Sequence, residues 1–289
     1  VILVTAATGQ VGREVVRLLT GAAPVRAMVR DPAAADDLPE VEVAVASFED
    51  GDALAAAMAG AETVFLAGRD SPAYAAGQAR AVDAAARAGV RHVVKLSALG
   101  AAAGSPVELM RDHHAAEGRL RSSGLAWTFL RPHLYMQNLL RFAGPVAGEG
   151  RLAAPMGDGA YPFVDTRDVA AAAAAVLREP AAHAGRAYAL TGPRPVGYAE
   201  IARRMGAIVG RGVRYEALAP ERFRADLEAA GVPAWRAADL AAIASAYTDA
   251  DDRPADGVAR LAGRPPTPIE RFLDDHRAAL AAGASRSHA

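Results

Sequence analysis

Residues 1–20 read VILVTAATGQVGREVVRLLT, and their pattern changes character twice. The opening run is wholly apolar, as in a strand covered on both faces. From Gln10 the apolar positions recur at helical spacing, with Val11, Val15, Leu18 and Leu19 on one face. Between the two lies a short loop with glycines at 9 and 12. A strand feeding a helix through such a turn leaves free backbone N–H groups at the helix start, where the helix dipole favours an anion such as a phosphate. Gly9 is expected to let a pyrophosphate approach the backbone, and Gly12 to let the helix pack on the sheet. Ala6 stands where the usual G-x-x-G-x-x-G pattern has its first glycine.

Working outward, the same alternation continues. Apolar, β-branched runs at Val25–Val29, Val41–Val45, Thr63–Ala67, His92–Ser97 and Ala126–Arg131 are separated by helical patterns, including one that starts at Ser71-Pro72 and one over Pro106–Ser123. Hairpins do not explain units of this length, whereas right-handed crossovers do. The expected fold is α/β: a doubly wound parallel sheet of Rossmann type with a smaller α-rich C-terminal substrate lobe. The division expected is a dinucleotide-binding core over 1–142 and a lobe over 143–289, with returning segments at about 160–190 that complete the core. Thr267-Pro268-Ile269-Glu270 reads as a capping box opening the last helix, and the tail from Gly283 as a frayed end.

Composition narrows the function. The chain has 289 residues, no cysteine, and 32 basic against 33 acidic side chains. No cysteine means no disulfide, no thiolate nucleophile and no thiolate metal site. Balanced charge argues against a dedicated nucleic-acid binder. The seven histidines are scattered, so no metal site is expected, and the acidic run Asp249–Asp256 reads as a solvated loop. The longest apolar run, Val169–Leu177, is far short of the roughly 20 residues a membrane span requires. A cytoplasmic location is expected, and a homodimer is left open. About a quarter of the residues are alanine, and Lys95 is the one lysine. Any mechanism that needs a lysine has only Lys95 to use.

Arg30 ends the second strand, 18 positions after Gly12. An acidic residue there would bind ribose hydroxyls, whereas arginine suits a 2′-phosphate, so NADPH is favoured as cofactor. Asp31, next door, blurs that choice.

The chain resembles the NmrA-like branch of the atypical short-chain dehydrogenases/reductases, in particular the bacterial NADPH quinone and triphenylmethane-dye reductases. The resemblance rests on Thr8-Gly9-Gln10-Val11-Gly12, Val29-Arg30-Asp31-Pro32, Ser123–Pro132, Tyr135-Met136-Gln137-Asn138, Phe163–Ala170 and Leu261–Pro266. It implies a cofactor site made by Ala6, Ala7, Thr8, Gly9, Gln10, Val11 and Arg30, with Ser47 and Phe48 bordering the adenine. It further implies that Gly68, Arg69 and Asp70, together with Pro132, His133, Leu134 and Tyr135, flank the nicotinamide.

Ordinary members of that superfamily carry Tyr-x-x-x-Lys, and no tyrosine here has a lysine four residues on. At the corresponding helix stands His113-His114-Ala115-Ala116-Glu117. His113 and Glu117 are one turn apart, so a carboxylate that raises the imidazole pKa would make His113 a general acid; a surface ion pair is the plainer alternative. Tyr135, Met136, Phe142 and Trp235 are candidate walls for a flat aromatic substrate, and Asn138 a candidate partner for its carbonyl. The expected activity is NADPH-dependent, flavin-independent hydride transfer to a quinone or other conjugated aromatic substrate, including a polyketide-tailoring step in antibiotic biosynthesis. The alternative is a non-catalytic NADP-binding redox sensor that acts through a protein partner.

Overall fold

The computed structural model describes residues 1–247 and 252–283. Residues 249–251 of the acidic run and 284–289 of the tail lie outside the described residues. The first half is built from β1 (Ile2–Val4), α1 (Gln10–Leu19), β2 (Val25–Val29), β3 (Glu42–Val45), α2 (Gly51–Met58), β4 (Thr63–Leu66), α3 (Tyr74–Arg87), β5 (His92–Leu96), α4 (Glu108–Arg121) and β6 (Ala126–Pro132). The second half adds α5 (Ala143–Glu149), β7 (Arg151–Ala154), β8 (Ala160–Tyr161), α6 (Thr166–Arg178), β9 (Arg186–Leu190), β10 (Val196–Gly197), α7 (Tyr198–Val209) and β11 (Arg214–Ala217). Helices α8 (Pro220–Ala229), α9 (Ala234–Tyr247), α10 (Gly257–Ala262), α11 (Ile269–Asp275) and α12 (Arg277–Ala281) follow.

Seven strands form one parallel sheet in the order β3-β2-β1-β4-β5-β6-β9. The order reverses direction between β1 and β4, which opens the crevice where such sheets bind ligands. Short strands reach this order because each is covered on both faces: β1 and β4 are buried at every position. On one face Val11, Val15, Val16 and Leu19 of α1 meet the alanine-rich side of α6. On the other, Leu54 and Met58 of α2, Ala81, Val82 and Ala85 of α3 and Leu120 of α4 pack on Leu3, Val64, Val93 and Phe129. A third core, around Tyr161, Phe163, Tyr198, Ile201 and Phe272, holds the C-terminal lobe. Met136 and Phe142 belong to that core instead of forming a cleft wall, because Met136 is 1% exposed and both pack among its apolar residues.

Two element starts differ from the sequence reading. Helix α3 begins at Tyr74, after a turn at Ser71–Ala73, and not at Pro72. Thr267 does not cap α11, whose N-cap is Pro268. Its backbone N–H and hydroxyl instead donate to the buried Asp168 carboxylate at 2.6 and 3.1 Å. Arg264 reaches the same carboxylate at 2.7 Å. A charged acceptor inside the fold outcompetes a local cap because it has no water to satisfy it.

On the lobe surface Arg194 and Arg204 bind both Glu200 and Glu270. No helix among the described residues is long and apolar enough to cross a membrane.

Asp168→Ala leaves the Thr267 N–H without its acceptor and cuts the tie between α6 and the C-terminal segment. The expected loss, read by urea unfolding, is about 2–3 kcal/mol, the range for charged hydrogen bonds.

Candidate functional site

The turn between β1 and α1 is set by a close approach. A side chain at Gly12 would lie 2.2 Å from the Ala6 carbonyl oxygen and 3.1 Å from the Ala7 Cα. Gly12 thus serves the turn itself before it serves packing of the helix on the sheet. Ala6 is the one non-glycine among the described residues with a positive φ, +49°. The position that carries glycine in the usual pattern is therefore left-handed here, with alanine bearing the strain. Gly9 has an ordinary φ of −75° and sits as N-cap of α1. A Cβ there would stand 3.2 Å from the Ala6 oxygen. Thr5 fixes the turn from beneath, donating to the carbonyls of Phe65 and Ala67 and accepting from the Ala67 N–H at 2.8 Å. A bare, glycine-lined helix start at the carboxyl edge, with Thr8, Gly9 and Gln10 not buried, fits a dinucleotide pyrophosphate.

The neighbouring loops fit the rest of that ligand. Arg30 is exposed at the end of β2. The Asp31 carboxylate is occupied as a cap, accepting from the Ala33 N–H at 3.0 Å, which leaves Arg30 as the side chain suited to a ribose phosphate. Ser47 accepts from the Glu49 N–H at 3.3 Å. Phe48 lies over α3, where a Cβ on Gly77 would touch it at 3.0 Å. The loop after β4 carries Gly68, exposed Arg69 and half-buried Asp70.

After β6, the backbone of Leu134 and Met136 brackets Val164, forming a bridge between Tyr135 and Val164. Gln137 then donates to the Asp165 carboxylate at 2.8 Å and accepts from the Thr166 N–H at 3.1 Å. Two of the quoted motifs thus meet and hold this loop at the crevice. His133 is turned inward, accepting from the Leu134 N–H at 2.7 Å and meeting Asp252 at 2.8 Å. Asn138 is exposed, and Trp235, at 38% exposure, lies on α9. Its neighbour Arg236 reaches Asp70 at 3.5 Å, and Asp239 accepts from the Leu109 N–H at 3.4 Å. Helix α9 therefore spans from the loop after β4 to the start of α4.

His113 faces inward, 8% exposed, but not toward Glu117. Its Nδ1 shares a 3.3 Å hydrogen bond with the Tyr74 hydroxyl. Glu117 is wholly buried and bound by Ser97 at 2.7 Å, Arg131 at 2.8 and 2.5 Å, and Arg121 at 3.0 Å. The expected His–Glu pair does not form, because the arginine fork of β6 takes the carboxylate. The imidazole pKa is accordingly not raised: burial, with the Lys95 charge, holds it well below its ordinary value.

What the sequence spacing missed is a tyrosine–lysine contact made in space. Lys95 is fully buried, and its Nζ donates to Tyr74 Oη at 3.2 Å, Gln78 Oε1 at 2.9 Å and the Leu96 carbonyl at 3.0 Å. Burial pushes its pKa down to about 7 and that of Tyr74 well above 10.0. The one available signal was a single lysine in a strand otherwise apolar from Val93 to Leu96.

Three expectations follow. Gly12→Ala must displace the turn, so nucleotide titration should show lost binding and unfolding a loss of about 1–3 kcal/mol, as for overpacked sites. Ala6→Gly removes about 1–2 kcal/mol of left-handed strain and adds about 0.4–1 kcal/mol of unfolded-chain entropy cost, so the melting temperature should rise slightly. Burial pushes the Glu117 carboxyl up, but hydrogen bonds from Arg131 and Ser97 and the arginine charges win and hold it below 4.5. Its stabilisation is thus present above pH 4.5 and lost as pH falls through the lower folded value. Acid unfolding of Glu117→Gln should lack that component.

Comparison with known proteins agrees with this geometry. The NAD(P)H-binding family matches residues 6–180. An NAD(P)H azoreductase from Xenophilus azovorans is 36% identical over 285 residues, 97% of this chain and 99% of that protein. The (4-alkanoyl-5-oxo-2,5-dihydrofuran-3-yl)methyl phosphate reductase of Streptomyces griseus is 36% identical over 282 residues, 97% and 99% of the two chains. The crystal structure of the Escherichia coli NADPH-dependent quinone oxidoreductase complexed with NADPH superposes with a TM-score of 0.86 at 30% identity, covering 95% of this chain and 99% of that one. The chain belongs to the NAD(P)H-binding family and is an NAD(P)H-dependent oxidoreductase related to the azo and quinone reductases.

Proposed function

We propose that this protein is an NADPH-dependent reductase that delivers hydride, without bound flavin, to a quinone or another conjugated, electron-poor acceptor. The observation that carries the reading is a juxtaposition at the carboxyl edge of the sheet. The nucleotide turn after β1 is tied through Thr5 to Ala67 at the end of β4, and the next residue, Gly68, lies against the Tyr74–Lys95–His113 cluster, where a Cβ would come 3.2 Å from the Tyr74 ring. The substrates in the relatives' names support the class: an azo bond, an acyl-substituted unsaturated lactone and a quinone all present a polarised π-system that accepts hydride and then a proton. A tailoring step on a polyketide quinone falls within this chemistry.

A dinucleotide held here would supply the hydride. The N–H groups of Thr8, Gln10 and Val11 would hold its pyrophosphate, the Gly9 N–H being spent on the Ala6 carbonyl at 2.9 Å; Arg30 would hold its 2′-phosphate, and Ser47 and Phe48 would border its adenine. Gly68–Asp70 and Pro132–Tyr135 flank the reacting end. Tyr135 and Trp235 line the acceptor's place, with Asn138 at its mouth. Correct placement of two reactants is itself worth much of the barrier. His113, neutral in its buried site, gives the proton that follows hydride to the acceptor's heteroatom. Glu117 acts through the fold and not on the substrate.

The test is consumption of NADPH, followed by the absorbance of the reduced nicotinamide, with a panel of quinones and azo dyes. NADPH is expected to bind more tightly than NADH. Arg30→Ala should weaken NADPH by about tenfold or more, the worth of one charged hydrogen bond, and leave NADH unchanged. His113→Ala should lower kcat by about 10²-fold or more with a weakly electrophilic acceptor, at unaltered NADPH affinity. Binding of NADPH with no acceptor reduced by the wild type would overturn the reading.

A further inference from the structure

Lys95 poses a question that the hydride chemistry leaves open. An ammonium inside a protein costs several kcal/mol unless a carboxylate pairs with it, and among the described residues none binds this one. Its three acceptors, Tyr74 Oη, Gln78 Oε1 and the Leu96 carbonyl, are all neutral. The acid whose charge acts on it, Glu117, has its oxygens taken by Arg131, Arg121 and Ser97. Leucine or methionine would fill the same volume at no such cost. The chain nevertheless places its single lysine there.

We propose that Lys95 is the proton reservoir of the crevice, replenishing through the Tyr74 hydroxyl the proton that His113 gives to the reduced substrate. The inference rests on the reductase reading above. Its geometry is a continuous line of hydrogen bonds from Lys95 Nζ to Tyr74 Oη at 3.2 Å and from Tyr74 Oη to His113 Nδ1 at 3.3 Å. The line lies directly against the loop after β4. A Cβ on Gly68 would come within 2.7 Å of Gln78 Nε2 and 3.2 Å of the Tyr74 ring. Glycine at 68 is what allows the strand end and the cluster to touch.

The step balances without an added reactant. After hydride addition the acceptor heteroatom carries the excess electron pair. The N–H bond at His113 Nε2 breaks and an O–H or N–H bond forms on the substrate. His113 Nδ1 takes the Tyr74 hydroxyl proton, and Tyr74 Oη takes one from Lys95. The net change is a neutral substrate, a neutral Lys95 amine and a His113 that carries its proton on Nδ1; a solvent proton taken up at His113 Nε2 then runs the line backward and recharges Lys95, which is itself shut off from water. Tyr74 carries no charge before or after, in keeping with its raised pKa. Lys95, at about 7, gives up its proton far more readily than an exposed lysine.

The groups that face this line are few. Helix α3 contributes Tyr74 and Gln78, and α4 contributes His113, Asp112 and Glu117; Asp70 and Tyr135 act from the loops after β4 and β6. Asp70, Asp112 and Tyr135 all oppose ionisation of Tyr74. Arg131 of β6 neutralises Glu117. Lys95 and Tyr74 are positioning residues, since they act through His113.

A chain with one lysine allows a direct measurement. Protein grown on isotopically labelled lysine gives one side-chain lysine signal, whose pH titration by NMR reads Lys95 alone. The expected result is a midpoint in the neutral range, several units below that of an ordinary lysine. In the wild type, kcat with a slowly reduced quinone should fall as pH rises through that same midpoint, because the neutral amine has no proton to pass on. Tyr74→Phe keeps the ring and deletes the hydroxyl. It should lower kcat at least tenfold and abolish that pH limb, with NADPH affinity retained and the Lys95 midpoint lowered further, since the ammonium loses one of its three acceptors. Lys95→Met should lose the limb as well. A Lys95 midpoint in the ordinary lysine range, or a Tyr74→Phe enzyme with wild-type kcat and pH profile, would overturn the relay while leaving the reductase reading intact. Failure of the wild type to oxidise NADPH with any acceptor would overturn both.

Discussion

The structure turns on the contact between the Ala6 carbonyl and position 12. Any side chain there would sit 2.2 Å from that oxygen, so the path of the chain out of β1 and the start of α1 depend on one missing Cβ. From that start α1 lies along the sheet with Val15, Val16 and Leu19 buried. Helix α6, returning at Thr166, can then bury Ala172, Ala173 and Val176 in the same core. The Thr5 hydroxyl carries the constraint sideways to the end of β4, and so to the loop that holds Gly68 and Asp70. A local steric fact at one turn thereby sets the shape of the crevice.

The C-terminal lobe matters through α9. It is tied to the core by Arg236 on Asp70 and by Asp239 on the Leu109 N–H, contacts to the loop after β4 and to the start of α4. These are polar, partly exposed links with modest energies, unlike the apolar core that joins α7, α11 and the Tyr161 cluster. The edge that carries Trp235 is thus held by both kinds of contact, since Ala244 of α9 packs in that same apolar core.

The parallel sheet was legible because buried strands and amphipathic helices alternate with a clean period; Val25–Val29 stands in the structure as it reads in the sequence. The nucleotide turn was legible because its residues are contiguous. The buried Tyr74–Lys95–His113 cluster was not, since its members come from three elements, 21 and 39 positions apart. Helical spacing placed His113 and Glu117 on neighbouring turns correctly, yet spacing says nothing of what else competes for a carboxylate. Arg131, on a strand facing that helix, offers a two-pronged donor that an imidazole cannot match. Thr267 shows the same limit, its hydroxyl drawn from a local cap to distant Asp168.

One further property follows from the cluster's isolation. With its only lysine sealed inside, the protein meets solvent with side-chain cations that are, histidine apart, all guanidinium groups. These keep their charge well past the pH at which surface amines lose theirs. Networks such as Arg194 and Arg204 with Glu200 and Glu270 are accordingly built from guanidinium forks, with no amine among them. Amine-directed acylation, which blankets most proteins, finds almost nothing on this surface to modify.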